Sequence, residues 1–179
     1  MTIIPNLYCY ISKFLQFLLQ DNTLGIYPGI RSADPTDLAV AGNFLFFAAT
    51  NPYRGRELFF VRKTDGQIGF IDIVPGAEGS YPAEMSGADG QLPLLFQAKD
   101  PYLGVELWVT TDGPQAEILF DICVGTGGSN PRYITFFRGK FYFQADDCIH
   151  GNLTREAPLY CCIFRLLGQL HYSLFINQK

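Results

Sequence analysis

The fold of this chain is decided by a short stretch that occurs twice, GRELFF at residues 55–60 and GVELWV at residues 104–109. The second copy lies 49 residues after the first, and each copy leads into a Thr-Asp-Gly triplet, at residues 64–66 and 111–113. Ordered matches at a nearly constant spacing are the signature of an internal repeat.

The repeat extends in both directions from these two stretches. Aspartate, glycine, serine and proline positions of residues 72–82 recur in residues 121–131, again at a spacing of 49. A partial earlier copy occupies residues 28–35, and a partial later copy occupies residues 147–151, each at a spacing of 47. The slips of two residues fall in predicted turns, where insertions are tolerated.

Each repeat is predicted to form four short antiparallel strands. An Asp-Gly pair between two apolar runs is the strongest short hairpin signal, because a type I′ turn needs positive φ at both central residues. The Thr-Asp-Gly triplets carry this signal, and second turns are predicted at residues 89–90 and 138–139. The predicted strands are Asn43–Ala49, Glu57–Arg62, Ile68–Val74, Ala83–Ser86, Leu92–Ala98, Glu106–Thr110, Glu117–Val124, Arg132–Phe136 and Lys140–Ala145.

Four antiparallel strands in each period of 47–49 residues are typical of a β-propeller blade. The predicted fold class is therefore all-β, a propeller-like array of about two to three four-stranded blades, with a short N-terminal helix. A closed propeller takes at least four blades, so we expect the array to be incomplete. Its open flanks favour binding of a partner or self-association.

The N-terminal segment has a different pattern. Five apolar residues fall at positions i, i+3, i+4, i+7 and i+8, which predicts an amphipathic helix: Ile11, Phe14, Leu15, Leu18 and Leu19. Polar residues interrupt the segment too often for a transmembrane span, and it lacks the basic start and small-residue cleavage site of a clear signal peptide. The simplest interpretation is a short helix that packs on the domain, and a degenerate leader or a membrane-surface anchor is the alternative.

The chain divides into residues 1–22, the apolar segment; residues 23–151, the β repeats; and residues 152–179, a divergent C-terminal tail. Charged residues make up only 17% of the chain and aromatic residues 15%, which argues against disorder. The net charge of −4 argues against nucleic-acid binding. The strand aromatics are predicted to pack in the core between blades: Phe44, Phe46, Phe47, Phe96, Phe137, Phe141 and Phe143.

The stretch ELWVTTDG at residues 106–113, followed by Asp121-Ile122 and by GSNP at residues 128–131, resembles the ELWxxDGT repeat. The resemblance covers about residues 27–151 and implies a propeller-type or hyalin-like repeat protein, secreted or on the cell surface. It departs from the family at Gln67 and Pro114, which replace a threonine, and the pattern ends after residue 151. The resemblance implies that the chain is a fragment of a larger repeat protein.

Repeated aspartates are one candidate for chemistry: Asp65, Asp72, Asp112 and Asp121. Carboxylates suit calcium, so a calcium-binding array is possible, but turn formation explains each aspartate more simply. A second candidate, for metal binding or acid–base chemistry, is the group Asp146, Asp147, Cys148 and His150. Neither set is assigned as a site: no catalytic residue, cofactor-binding residue or metal ligand is predicted.

Five cysteines form no C-x-x-C motif, and their odd number leaves one thiol unpaired in an oxidising compartment: Cys9, Cys123, Cys148, Cys161 and Cys162. Residues 125–128 are predicted to be a loop and not a phosphate cradle, because a strand follows them. Residues 152–154 form an N-glycosylation sequon, which matters only in a secreted chain.

The predicted function is a non-enzymatic repeat module for protein or glycan interaction. Two alternatives stay open: a carbohydrate-active or other hydrolytic enzyme on a propeller scaffold, and a truncated product without independent function. A repeated residue argues against catalysis, because an active site needs one unique constellation of groups.

Overall fold

The computed structural model describes residues 33–111 and 113–148, and the backbone of two further strands at residues 159–166 and 169–175. These residues form three four-stranded antiparallel sheets and contain no helix. The predicted helix within residues 1–22 lies outside the described residues. The chain is therefore all-β over the described part, as the repeat predicts.

Each sheet is a simple meander in which strands that are neighbours in sequence pair with each other. The first sheet contains β1 (Thr36–Ala41), β2 (Phe44–Asn51), β3 (Gly55–Arg62) and β4 (Ile68–Ile71). The second contains β5 (Ala83–Ala88), β6 (Gln91–Asp100), β7 (Gly104–Thr110) and β8 (Glu117–Phe120). The third contains β9 (Arg132–Phe137), β10 (Lys140–Ala145), β11 (Leu159–Leu166) and β12 (Gln169–Phe175).

The nine predicted strands are all present, and three further strands were not predicted. The first of these, β1, pairs with β2. The other two, β11 and β12, lie in the segment where the repeat pattern ends, and β11 pairs with β10 from Lys140 to Ala145. The third sheet therefore draws its outer two strands from residues 152–179.

The hairpin turns follow the type I′ prediction between β5 and β6 and differ from it between β3 and β4. At Asp89-Gly90 the φ angles are 50° and 78°, as a type I′ turn requires. Between β3 and β4 only Gly66 has positive φ, at 70°, and the Arg62 N–H donates to the Gln67 carbonyl at 2.9 Å. The type I′ prediction is wrong there, because the Asp65 carboxylate accepts the Gln67 N–H at 3.0 Å and holds a longer loop.

The core consists of side chains packed between neighbouring sheets. Residues that alternate along a strand point to opposite faces, so each sheet contributes to the contact on either side of it. One cluster joins the first and second sheets: Phe46, Leu58, Phe60, Leu94, Phe96, Ala98 and Trp108. A second joins the second and third: Leu95, Leu107, Val109, Ile134, Phe141, Phe143 and Ala145.

The aromatic prediction is confirmed for burial at most positions, but Phe47 packs on the side of the first sheet that faces away from the second sheet. Five of the seven predicted phenylalanines are buried, and Phe44 is half-buried against the rings of Phe46 and Phe60. Phe137 is 57% exposed, so its assignment to the core is wrong. It ends β9 beside a hairpin turn, where the Arg138 guanidinium lies 5.2 Å from its ring centroid.

Neighbouring sheets approach each other most closely along their first strands, where β1 contacts β5 and β5 contacts β9. A Cβ added to Gly87 in β5 would lie 2.4 Å from the Val40 carbonyl oxygen of β1. The Glu84 carboxylate in β5 accepts the Tyr133 N–H of β9 at 2.6 Å. The described sheets thus stack in chain order and do not close into a ring.

Two glycine pairs hold the loops between sheets against the start of each third strand. A Cβ on Gly55 would lie 2.5 Å from the Gly79 nitrogen, and a Cβ on Gly104 would lie 2.7 Å from the Gly128 Cα. Backbone atoms cannot yield as a flexible side chain would. The repeated glycines are therefore required by close contact between two backbone segments.

Replacing Gly104 by alanine is expected to lower the free energy of unfolding by about 2–4 kcal/mol, because strain at φ 78° adds to a backbone clash. Gly139→Ala is the matched control, since Gly139 has φ 75° and nothing within 4 Å of an added Cβ. The control is expected to cost only about 1 kcal/mol. Urea unfolding measures both, and equal losses would contradict the close-contact role.

Candidate functional site

The loop edge is the edge of the sheets that carries the β2–β3, β4–β5, β6–β7 and β8–β9 connections. The chain enters each first and third strand there and leaves each second and fourth strand there, because every sheet is an antiparallel meander. The longest described connections, residues 72–82 and 121–131, lie on this edge. It is where candidate functional side chains collect.

A buried glutamate organises the first long loop. Glu57, the glutamate of the GRELFF stretch, is 0% exposed. Its Oε1 accepts the N–H groups of Val74 at 3.1 Å and Ser80 at 3.0 Å. Its Oε2 accepts the Ile73 N–H at 3.2 Å and the Ser80 hydroxyl. One carboxylate therefore fixes both ends of the loop that leads to the second sheet.

The second repeat builds the same arrangement. Glu106 is also 0% exposed, and its Oε1 accepts the Ser129 N–H at 2.7 Å. Its Oε2 accepts the Ile122 N–H at 3.1 Å and the Ser129 hydroxyl. In both repeats the serine lies 23 residues after the glutamate. We call this arrangement the glutamate clasp.

The glutamate clasp is structural. Burial raises the pKa of both glutamate carboxyls above the ordinary 4.5, while hydrogen bonds from the serine hydroxyls act in the opposite direction. Both oxygens of each carboxylate are used by backbone and serine donors, and neither side chain reaches solvent. This role was not predicted from the sequence, although a glutamate and a serine recur at a fixed spacing of 23 residues in both copies.

The structure separates the aspartates that were considered for calcium. Asp65 lies on the β3–β4 turn, at the edge opposite Asp72 and Asp121, and Asp112 lies outside the described residues. Asp72 is paired with Arg54 through its Oδ2 at 2.5 Å, and the Oδ1 atoms of both Asp72 and Asp121 are buried without a hydrogen-bond partner. In the described part of the chain, no three His, Cys, Asp or Glu side chains are grouped to hold a metal ion.

The second acidic group is a turn closed by a disulfide. Asp146 Oδ1 accepts the Cys148 N–H at 2.8 Å, and Asp147 is buried. Cys148 is bonded to Cys123, so its sulfur is not free to bind a metal as a thiolate. His150 lies outside the described residues. The predicted loop at residues 125–128 packs against the start of β7 through Gly128.

Exposed tyrosines distinguish the loop edge chemically. Tyr53 and Tyr102 lie on the β2–β3 and β6–β7 turns, 74% and 79% exposed, at equivalent positions of two repeats. Tyr81 and Tyr133 lie where the chain enters β5 and β9, and they are also exposed. An aspartate or asparagine fixes each turn: the Tyr102 N–H donates to Asp100 Oδ1 at 2.7 Å, and the Tyr53 N–H donates to Asn51 Oδ1 at 2.9 Å.

Fold and edge together define an all-β repeat of stacked four-stranded sheets with a tyrosine-bearing loop edge. Comparisons with protein-family models, with curated proteins and with solved structures find no match to this chain. Within the described residues, the structure has no helix of the length and apolar character needed to cross a membrane.

Replacing Glu106 by glutamine is expected to lower the free energy of unfolding by about 2–4 kcal/mol. A carboxylate only accepts hydrogen bonds, whereas the glutamine NH₂ would face N–H and O–H donors in a buried site. Glu117→Gln on the exposed start of β8 is the control and is expected to change stability by less than about 0.5 kcal/mol. Denaturant unfolding with equal midpoints for both variants would contradict the clasp.

The glutamate clasp also predicts a pH dependence. Because the folded-state pKa of Glu57 lies above 4.5, its titration favours folding fully below pH 4.5 and loses that contribution as pH rises through the folded pKa. Glu57→Gln should remove this slope from stability-against-pH curves. Asp65→Asn is a control of opposite sign, because the Gln67 N–H lowers the pKa of Asp65 below 3.8. A Glu57→Gln curve parallel to the wild-type curve would contradict the assignment.

Proposed function

We propose that this chain is a non-enzymatic repeat module of the ELWxxDGT type, whose sheets are blades of an incomplete β-propeller-like array in a larger repeat protein. The resemblance in sequence is supported by a common design in the described repeats. The glutamate clasp, the paired glycines and the inter-sheet packing recur at the repeat spacing. Blades of a β-propeller are four-stranded antiparallel meanders that follow one another along the chain, and the described sheets have this arrangement.

The module acts by binding a protein or a glycan at the loop edge. The observation that carries this proposal is the set of exposed tyrosines there, two of them repeated at the same turn position. Tyrosine presents a large apolar ring and a polar hydroxyl at low cost in side-chain entropy, so it is enriched in recognition surfaces. The described carboxylates with repeat-wide roles are buried in the glutamate clasps, which supports binding over hydrolysis.

A secreted or cell-surface location fits the cysteine chemistry. The Cys123–Cys148 disulfide joins the loop after β8 to the segment after β10. Disulfides of this structural kind persist in oxidising compartments. The proposal of an extracellular module is therefore supported by the resemblance and by the disulfide together.

Replacing both Tyr53 and Tyr102 by alanine is expected to weaken binding at least about tenfold, because exposed aromatic anchors carry much of an interface's energy. Binding of the labelled full chain to a panel of immobilised oligosaccharides is the measurement. Stability should be unchanged, since both side chains are exposed. Phe137→Ala is the matched control, because Phe137 is an exposed aromatic residue at the opposite edge of the sheets.

The protein alternative is tested with a photo-crosslinking phenylalanine at position 102 and, as control, at position 137. Extracellular protein captured from position 102 and not from position 137 would place a protein partner at the loop edge. Oligosaccharide binding that survives the double tyrosine change, or equal capture from both positions, would contradict the proposed surface.

A further inference from the structure

The first sheet has an apolar face on the side away from the second sheet. We call it the outer face; its centre is Phe47, Ala49, Phe59 and Val61. These side chains are buried: Phe47 is 1% exposed and Phe59 3%. Leu38, Leu45 and Ile68 pack against them, together with Ala33. None of the described residues in this cluster comes from the second or third sheet.

The repeat shows what such a face is built to do. Phe96, Ala98 and Trp108 lie 49 residues after Phe47, Ala49 and Phe59. These three residues form the side of the second sheet that packs against the first sheet. The outer face is therefore the equivalent receiving surface, one repeat earlier. An apolar sheet face of this kind needs another layer against it.

The chain reaches the first sheet at this face. Ala33 belongs to the outer-face cluster, and its carbonyl accepts the Thr50 N–H of β2 at 2.8 Å. The sequence that leads into Ala33 includes the amphipathic stripe of residues 11–19, with five apolar residues spaced for one helical face. A segment with one apolar face is the complement of a sheet with one apolar face.

We propose that the N-terminal apolar segment, residues 3–19, covers the outer face of the first sheet through the stripe of Phe14 and Leu18. It takes the place that the first sheet occupies on the second. Such an element, apolar inside and polar outside, covers a sheet face as a capping unit does in repeat arrays. The segment is then an internal cap that blocks association through this face.

This cap changes the prediction of self-association. Head-to-tail contact between copies requires the outer face of one copy to be free, and such contacts do not close by themselves. With the cap in place, the chain does not associate through the first sheet. The inference is independent of ligand binding at the loop edge. It concerns the outer face of the first sheet and the N-terminal segment of the same chain.

The test uses the full chain with Phe14→Asp and Leu18→Asp together, which places charge on the apolar stripe. Ser12→Asp with Gln16→Asp is the matched control, because it adds the same charge off the stripe. We expect the stripe variant to bind a dye for exposed apolar surface several-fold more strongly than wild type and control. Its sedimentation coefficient should rise with concentration, while wild type and control stay constant.

A photo-crosslinking phenylalanine at position 14 tests the contact directly and does not depend on unfolding the cap. We expect an intramolecular crosslink to a peptide of residues 44–62, and none from position 16. Crosslinks only between copies would show that a second copy occupies the outer face and would overturn the proposal. Binding of wild type, but not the stripe variant, to phosphatidylcholine vesicles without the intramolecular crosslink would make the segment a membrane anchor and overturn it too.

Discussion

The structure depends on one buried carboxylate in each repeat. Glu57 and Glu106 accept hydrogen bonds from the end of the fourth strand region and from the serine before the next sheet begins. Since an unpaired buried N–H is costly, the loop can follow only a path that keeps these donors on the carboxylate. That path brings a glycine of the loop against a glycine of the third strand. The glutamate clasp thus sets where each new sheet starts relative to the last.

The positions of the strands were predictable because each sequence repeat contains the same pattern of hairpins. Nine strands lie where this pattern places them. The fourth strands end earlier than predicted, at Ile71 and Phe120. The clasp explains this, because it draws the following N–H groups, Ile73 and Ile122, to a side chain. The strand β1 was missed since its sequence, TDLAVA, has few strong strand formers. The strands β11 and β12 were missed because their segment lacks the repeat on which the prediction rested.

The candidate site was harder to predict, because a repeat marks positions without saying which way a side chain points. The repeated aspartates were the candidates for calcium binding. The structure shows that the repeated glutamates are the carboxylates that organise the loops. Burial decides between them, and burial is a property of the assembled sheets. In the sequence, the exposed tyrosines are likewise indistinguishable from the other aromatic residues. Tyr53 and Tyr102 become distinctive once the structure places them, both exposed, on equivalent turns of two repeats.

The disulfide between Cys123 and Cys148 has a mechanical consequence. Both β9 and β10 lie inside the loop that it closes, with a sequence separation of 25. Tension applied at the chain ends passes through the sulfur bridge and leaves this loop unstretched. An extended segment of that length would add about 85 Å, at about 3.4 Å per residue, and this extension is withheld while the bond is intact. Among the described residues, the strands of the first and second sheets lie outside this bridge, so it does not limit their extension.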